Sequence, residues 1–203
     1  MPTNNFCAEC VDDLCVDAAL PALVLGSCDV DNDEGITEVF YTDQGHPVAG
    51  DPASAASWTT RLSNTSDGTG GSGNVANPIR HYEVYKGKKP QATLNYKKNQ
   101  KGTGVRLQDS TRSITFKDED DSDGKYEFYR NLQCNGNILL YYRSGKHFYG
   151  SNGSTGAGSG VGIKAVIKPV YEIDPESATM AHAWFVTIEW DAKCEEGRFE
   201  APF

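Results

Sequence analysis

Residues 180–192, MAHAWFVTIEWDA, constrain the fold of this chain more than any other stretch. Read as a strand, they set His182, Trp184, Val186, Ile188 and Trp190 on one face and Ala183, Phe185, Thr187, Glu189 and Asp191 on the other, because strand side chains alternate at a period of two. The first face carries two of the chain's three tryptophans, and such large aromatic bodies demand a core. The second face is apolar at Ala183 and Phe185 and acidic at Glu189 and Asp191, which predicts a strand that starts deep and ends near water. Residues 161–173 (VGIKAVIKPVYEI) read as a second long strand, and DPES at 174–177 supplies turn residues between the two. The pair predicts a long antiparallel hairpin as the spine of a mainly β domain.

The rest of the chain extends that pattern. Residues 1–20 read as an arm, 21–28 (PALVLGSC) as a buried strand, 29–35 (DVDNDEG) as a turn and 36–42 (ITEVFYT) as a strand with Ile36, Glu38, Phe40 and Thr42 opposed to Thr37, Val39 and Tyr41. Asp51 followed by Pro52 predicts an N-cap and a short helix running through Trp58. A Gly/Ser-rich loop covers 63–75. PIRHYEVYK, PQATLNYKK, GVRLQDS and RSITFK then read as a meander of strands, with KGKKP and NQKGT as its turns. Acidic residues at 118–123, an apolar face at Tyr126, Tyr129 and Leu132, and Asn135-Gly136 predict one amphipathic helix of two to three turns. NILLYYRSGKHFYG predicts a hairpin turning at Ser144-Gly145, and a second flexible loop covers 151–160. The expected core includes Trp58, Tyr129, Leu132, Trp184, Val186, Ile188 and Trp190.

At 203 residues the chain suits one β domain, placed at 28–203, behind an N-terminal, cysteine-containing segment at 1–27. No run reaches the ~18 apolar residues of a membrane span. The first residues hold Glu9, Asp12, Asp13 and Asp17 and no basic start, unlike a signal peptide, so synthesis and folding in a cytoplasm are expected. Charge is strongly segregated. Residues 1–60 hold eleven Asp and Glu and no Lys or Arg, whereas 80–112 hold nine Lys and Arg against Glu83 and Asp109. Such separation lets one copy of a chain attract another.

Residues able to carry chemistry are sparse. Cys7, Cys10, Cys15 and Cys28 include one metal-type pair, CAEC, and are the zinc candidates, but no second close pair completes a zinc ribbon. Free, mostly buried thiols are therefore expected throughout. Asp29, Asp31 and Asp33 imitate a calcium loop, yet Glu34 stands where glycine is needed and Phe40 where a bidentate Glu is needed. His46, His81, His147 and His182 stand apart in sequence, and no nucleophile elbow, phosphate loop or zinc-protease motif occurs. Neither an enzyme nor a cofactor is expected. Lys86, Lys88, Lys89, Lys97, Lys98 and Lys101, interleaved with Tyr85 and Tyr96, are read as an assembly interface, because an acidic chain without a recognition helix or RNA-binding motif suits a like partner better than nucleic acid.

The order of elements carries a resemblance. LGSCDVDNDEGITEVFYT, the Trp-containing DPASAASWTTRL, the meander, FKDEDDSDGKYEFYRNL and the closing WFVTIEWDAKCEEGRFEAPF together resemble virion structural proteins of tailed bacteriophages, especially tail tube proteins and a set found in phages of Bacteroidetes-type hosts. The resemblance implies two packed antiparallel sheets, a sandwich or partly closed barrel, flanked by one helix. It also implies copies of the chain assembling into stacked rings, usually of six, contacts with other virion proteins, and an acidic lumen through which DNA passes without sticking. The implied location is the virion, after synthesis in a bacterial cytoplasm. Head decoration, connector and fibre-base proteins share such modules. A carbohydrate-binding or cell-surface β-sandwich is the alternative, with Tyr141, Tyr142 and Tyr149 as its exposed stacking platform; disulfides would favour it.

Overall fold

The computed structural model describes residues 35–66, 68–71, 74–98, 105–107, 109–152, 154, 156–174 and 182–203. The expected arm, the 21–28 strand, the Asp-rich turn, the four zinc-candidate cysteines, Lys101 and most of the DPES turn lie outside them. The spine is present as expected. β8 (Ile163–Ile173) and β9 (His182–Ala192) pair antiparallel from Val166↔Glu189 to Ile173↔His182. Along β9, Trp184, Val186, Ile188 and Trp190 are buried, so the period-two alternation holds over nearly its whole length. Its outer face surfaces earlier than expected. Phe185 is 42% exposed beside Val170 at 60%, because no element of the described chain covers that side, and the Lys117 ammonium rests 5.7 Å from the Phe185 ring.

The remaining strands are β1 (Ile36–Thr42), β2 (Arg80–Lys88), β3 (Tyr96–Lys98), β4 (Val105–Leu107), β5 (Ser110–Asp118), β6 (Asn137–Ser144), β7 (His147–Ser151) and β10 (Gly197–Glu200). One eight-stranded antiparallel sheet runs β1-β2-β5-β9-β8-β6-β7-β10, and β1 also pairs with β6. Strands β1, β2, β5, β9, β8 and β6 thus close a six-stranded barrel. β6 makes the exit from it: Asn137 to Leu140 pair with β8, while Tyr142 to Ser144 pair with β7, through a turn that opens at Gly145 with φ 54°. Closure removes most free sheet edges, which otherwise invite aggregation.

Two apolar clusters follow from this geometry. The barrel interior holds Ile36, Val39, Tyr41, Ile114, Phe116, Tyr129, Leu140, Tyr142, Ile167, Trp184, Val186, Ile188 and Trp190. Outside the wall, Phe40, Val48, Trp58, Ile79, Leu139, Tyr141 and Phe148 form the second. β1 serves both. A register shift between Ile36 and Glu38 turns Ile36 to the side of Val39 and Tyr41, so the simple alternation expected for ITEVFYT breaks at its start.

The helices are close to expectation at one site and shorter at the other. α1 (Ala56–Thr59) has Ala55 at its N-cap, whereas the Asp51 carboxylate accepts from the Ala53 amide in a turn of its own. Trp58 is fully buried, and its indole N–H donates to the Pro52 carbonyl at 2.9 Å. α2 (Asp123–Cys134) ends at Asn135. Tyr129 enters the barrel against Trp184, with ring centroids 5.2 Å apart, while Leu132 is half-buried. The aspartates before α2 close turns ahead of the helix: Asp118 accepts from the Asp120 amide and Asp120 from that of Ser122, each at 3.0 Å.

The expected meander is replaced by a barrel wall with an excursion. β2 pairs directly with β5, while β3 and β4 form a separate two-stranded hairpin. KGKKP is accordingly no turn: Lys86, Gly87 and Lys88 stay in β2 across a bulge where Lys86 has φ 52°. Gly87 is required by close crossing, since a Cβ there would lie 2.6 Å from the Ile36 carbonyl oxygen of β1.

Candidate assembly surface and the adjoining barrel mouth

Lys86 and Lys88 on β2 and Lys97 and Lys98 on β3 are exposed. Between them stand Tyr85 at 67% exposure, Tyr96 at 61%, and Leu94. The Lys86 ammonium lies 4.9 Å from the Tyr85 ring. The segment before β3 is tied to the barrel where the Asn95 amide donates to Ser110 Oγ at 3.1 Å and its side chain to the Asp109 carbonyl at 3.4 Å. β2 and the hairpin therefore carry a surface that is basic and aromatic together.

Lys89 departs from that set. Its ammonium turns to Glu195 and Glu196, each at 2.5 Å. Glu196 is only 7% exposed; it accepts from the Trp190 indole N–H at 2.7 Å and the Tyr142 hydroxyl at 3.1 Å. Arg112, buried in the barrel wall, pairs with Glu195. Burial pushes the Glu195 carboxyl up, but the hydrogen bonds and charges of Lys89 and Arg112 outweigh it and hold that carboxyl below the usual range. Burial, reinforced by the Glu196 charge and hydrogen bond, raises the Tyr142 phenol far above its ordinary value. Two cations and two carboxylates thus neutralise one another at the end of the barrel that holds Trp190. A cleft of about 770 Å³ opens there, lined by Lys88, Lys89, Tyr149, Glu195, Glu196 and Arg198 among others. No motif in the sequence marks this network; Trp190 and Glu196 meet across the bend after β9.

Other site expectations are corrected. Tyr141 and Tyr142 are buried and cannot form an exposed stacking platform. Tyr141 fastens the outer cluster: its hydroxyl donates to the Gly160 carbonyl at 2.7 Å and accepts from the Val48 amide at 3.1 Å. Tyr142 and Tyr149 stack on each other, 4.6 Å apart and 6° from parallel. The expectation of free, buried thiols fails at both described cysteines. Cys134 is free but exposed, because it falls outside the inward face of α2, and Cys194 is disulfide-bonded.

His182, isolated in sequence, meets a carboxylate through the fold. Its Nδ1 lies 3.0 Å from Asp121 and 2.8 Å from the Tyr171 hydroxyl, which itself donates to Asp121 at 2.6 Å. This trio ties the start of β9 to the acidic turn ahead of α2. Among the described residues no three His, Cys, Asp or Glu side chains are grouped to hold a metal ion, and no helix is long and apolar enough to cross a membrane.

In comparisons with known proteins, no family model, no curated protein and no solved structure gives a match to this chain.

Proposed function

We propose that this chain is a non-enzymatic, self-assembling structural protein of a tailed bacteriophage virion, and within the virion a tail tube subunit. The observation that carries the reading is the surface on β2 and β3, where Tyr85, Leu94 and Tyr96 stand exposed among Lys86, Lys88, Lys97 and Lys98. A lone monomer leaves those aromatic side chains in water, whereas a second copy supplies the complement: the acidic, Lys- and Arg-free first 60 residues. A contact between two different patches is heterologous, so it propagates into rings and stacked rings. β10 ends the described sheet, giving a strand edge on which a neighbour's strand can add. The closed barrel is the rigid unit and rings of six are the expected assembly, with acidic residues facing the passing DNA.

Negative-stain electron microscopy of the purified protein, with native mass spectrometry on the same sample, tests this. Rings or tubes are expected, and they should be lost in a Lys97→Glu/Lys98→Glu variant that retains its fold. A monomer of 22.1 kDa at every salt concentration would sink the proposal. The disulfide at Cys194 favours a second reading, a β-barrel module working in an oxidising compartment such as a cell surface.

A further inference from the structure

The barrel end plugged by α2 holds a cleft of about 630 Å³, lined by residues of β1, β2, α2 and 64–66. Half-buried Tyr82 and Phe128 give it an aromatic wall, and Asn64, Asn131, Asn135, Arg80 and Lys125 give it polar groups. Among the described residues no carboxylate lines it. Lys125 is already paired with Asp118 at 2.8 Å. Arg80 is different: its guanidinium is fixed by the carbonyls of Ser63 at 3.2 Å and Ser66 at 2.6 Å, and among the described residues no carboxylate neutralises it. Among the described residues, the cleft therefore offers a positioned positive charge at Arg80 that no carboxylate offsets.

The neutral groups around that charge narrow the ligand further. The Tyr82 hydroxyl is buried without a hydrogen-bond partner among the described residues, and a buried donor left open favours a ligand that accepts from it. Asn131 in the last turn of α2 and Asn135 at its C-cap both line the cleft, their side-chain amides exposed and unbonded among the described residues. An amide both donates and accepts, which is what a ring of hydroxyls requires. Both asparagines stand at the C-terminal end of α2, where the helix dipole is negative and disfavours a densely charged group such as phosphate. One charge, two amides and an aromatic wall fit a ring with one carboxylate, several hydroxyls and an apolar C–H face.

We propose that this cleft binds an acidic saccharide: Arg80 pairs with its carboxylate, Asn131 and Asn135 bond its hydroxyls, and its apolar face lies against Phe128 and Tyr82. The proposal concerns a ligand site and goes beyond the assembly reading. Titration reads binding and microscopy reads assembly, so either can fail alone.

The test titrates the full-length protein with glucuronate and with N-acetylneuraminate, following the side-chain amide signals of Asn131 and Asn135 by NMR, with glucose and inorganic phosphate as comparisons. At least one acidic sugar should bind tenfold or more tighter than glucose and tighter than phosphate. Arg80→Gln should weaken it roughly tenfold to a hundredfold, the worth of a charge-assisted hydrogen bond. Because Arg80 also anchors the 63–66 segment, exposed Asn131→Asp is the second variant; it should abolish binding by repulsion while the negative helix end lowers the unfolding midpoint only slightly. The proposal is overturned if neither acid binds at millimolar concentration, if glucose or phosphate binds as well, or if Asn131→Asp binds like the parent.

Discussion

Replacing Glu196 by Ala tests the barrel-mouth network most sharply. The carboxylate is 7% exposed and accepts from the Trp190 indole and the Tyr142 hydroxyl while also meeting Lys89. Alanine leaves two buried donors open, and Lys89 retains Glu195. Each buried, unsatisfied donor costs about 1–3 kcal/mol. Water can reach the site through the adjoining cleft, which keeps the sum toward the lower end, at about 3 kcal/mol. For a domain of 150–250 residues, each kcal/mol shifts the melting temperature by roughly 2–4 °C, so a fall of about 6–12 °C is expected. Glu196→Gln keeps one carbonyl acceptor and should lose only about half as much. Urea unfolding followed by tryptophan fluorescence gives the free energies, and a cycle with Lys89→Met isolates the ion pair, for which a coupling of about 1 kcal/mol or more is expected. A Glu196→Ala protein within about 0.5 kcal/mol of the parent, the range of an ordinary surface substitution, would refute the reasoning.

Trp58→Phe removes the bond to the Pro52 carbonyl and part of the outer cluster, and should cost about 2 kcal/mol in the same denaturant assay. On the acid side, Asp118 is pushed up by burial but held low overall by its hydrogen bonds from Lys125 and Tyr129, and Glu195 is likewise held low. The folded chain thus binds those protons less readily than the unfolded one. Their stabilisation is full above the unfolded carboxylate value of about 4 and is lost as pH falls through the folded values, so melting temperatures measured downward from pH 6 should drop steadily below that point. On the alkaline side, burial raises Tyr41, Tyr82, Tyr129 and Tyr142 strongly and pushes Tyr141 up to about 12. That stabilisation is full below the unfolded value of about 10 and fades as pH rises, so phenolate absorbance should show a late step coincident with unfolding. Peptide mapping after alkylation should find Cys134 labelled in the native protein and Cys194 labelled only after reduction.

Most of the framework was legible in local patterns. The alternation around Trp184 and Trp190, the Ser144-Gly145 turn and the inward positions of Tyr129 and Leu132 each follow from one element's own pattern, though Tyr126 of the same expected face is 40% exposed. Pairing across long separations was not legible. Closure of β1 onto β6 joins Phe40 to Tyr141, and no local rule reveals that both faces of a strand will be covered. The same blindness misplaced Tyr141 and Tyr142: an aromatic run beside a turn reads as surface until a second layer is known to lie over it. Lys89 looked like its neighbours on the basic stretch, yet a bulge in β2 and a bend after β9 bring it to Glu195 and Glu196. Arg80 and Asn131 share a cleft only because the barrel closes.

Sedimentation velocity on the purified protein, across a series of salt concentrations, tests the central claim most directly. Assembly through a basic, aromatic surface and an acidic segment predicts a species many times the 22.1 kDa protomer at low salt, shrinking as salt screens the pairing. A single protomer-sized boundary at all concentrations would contradict it.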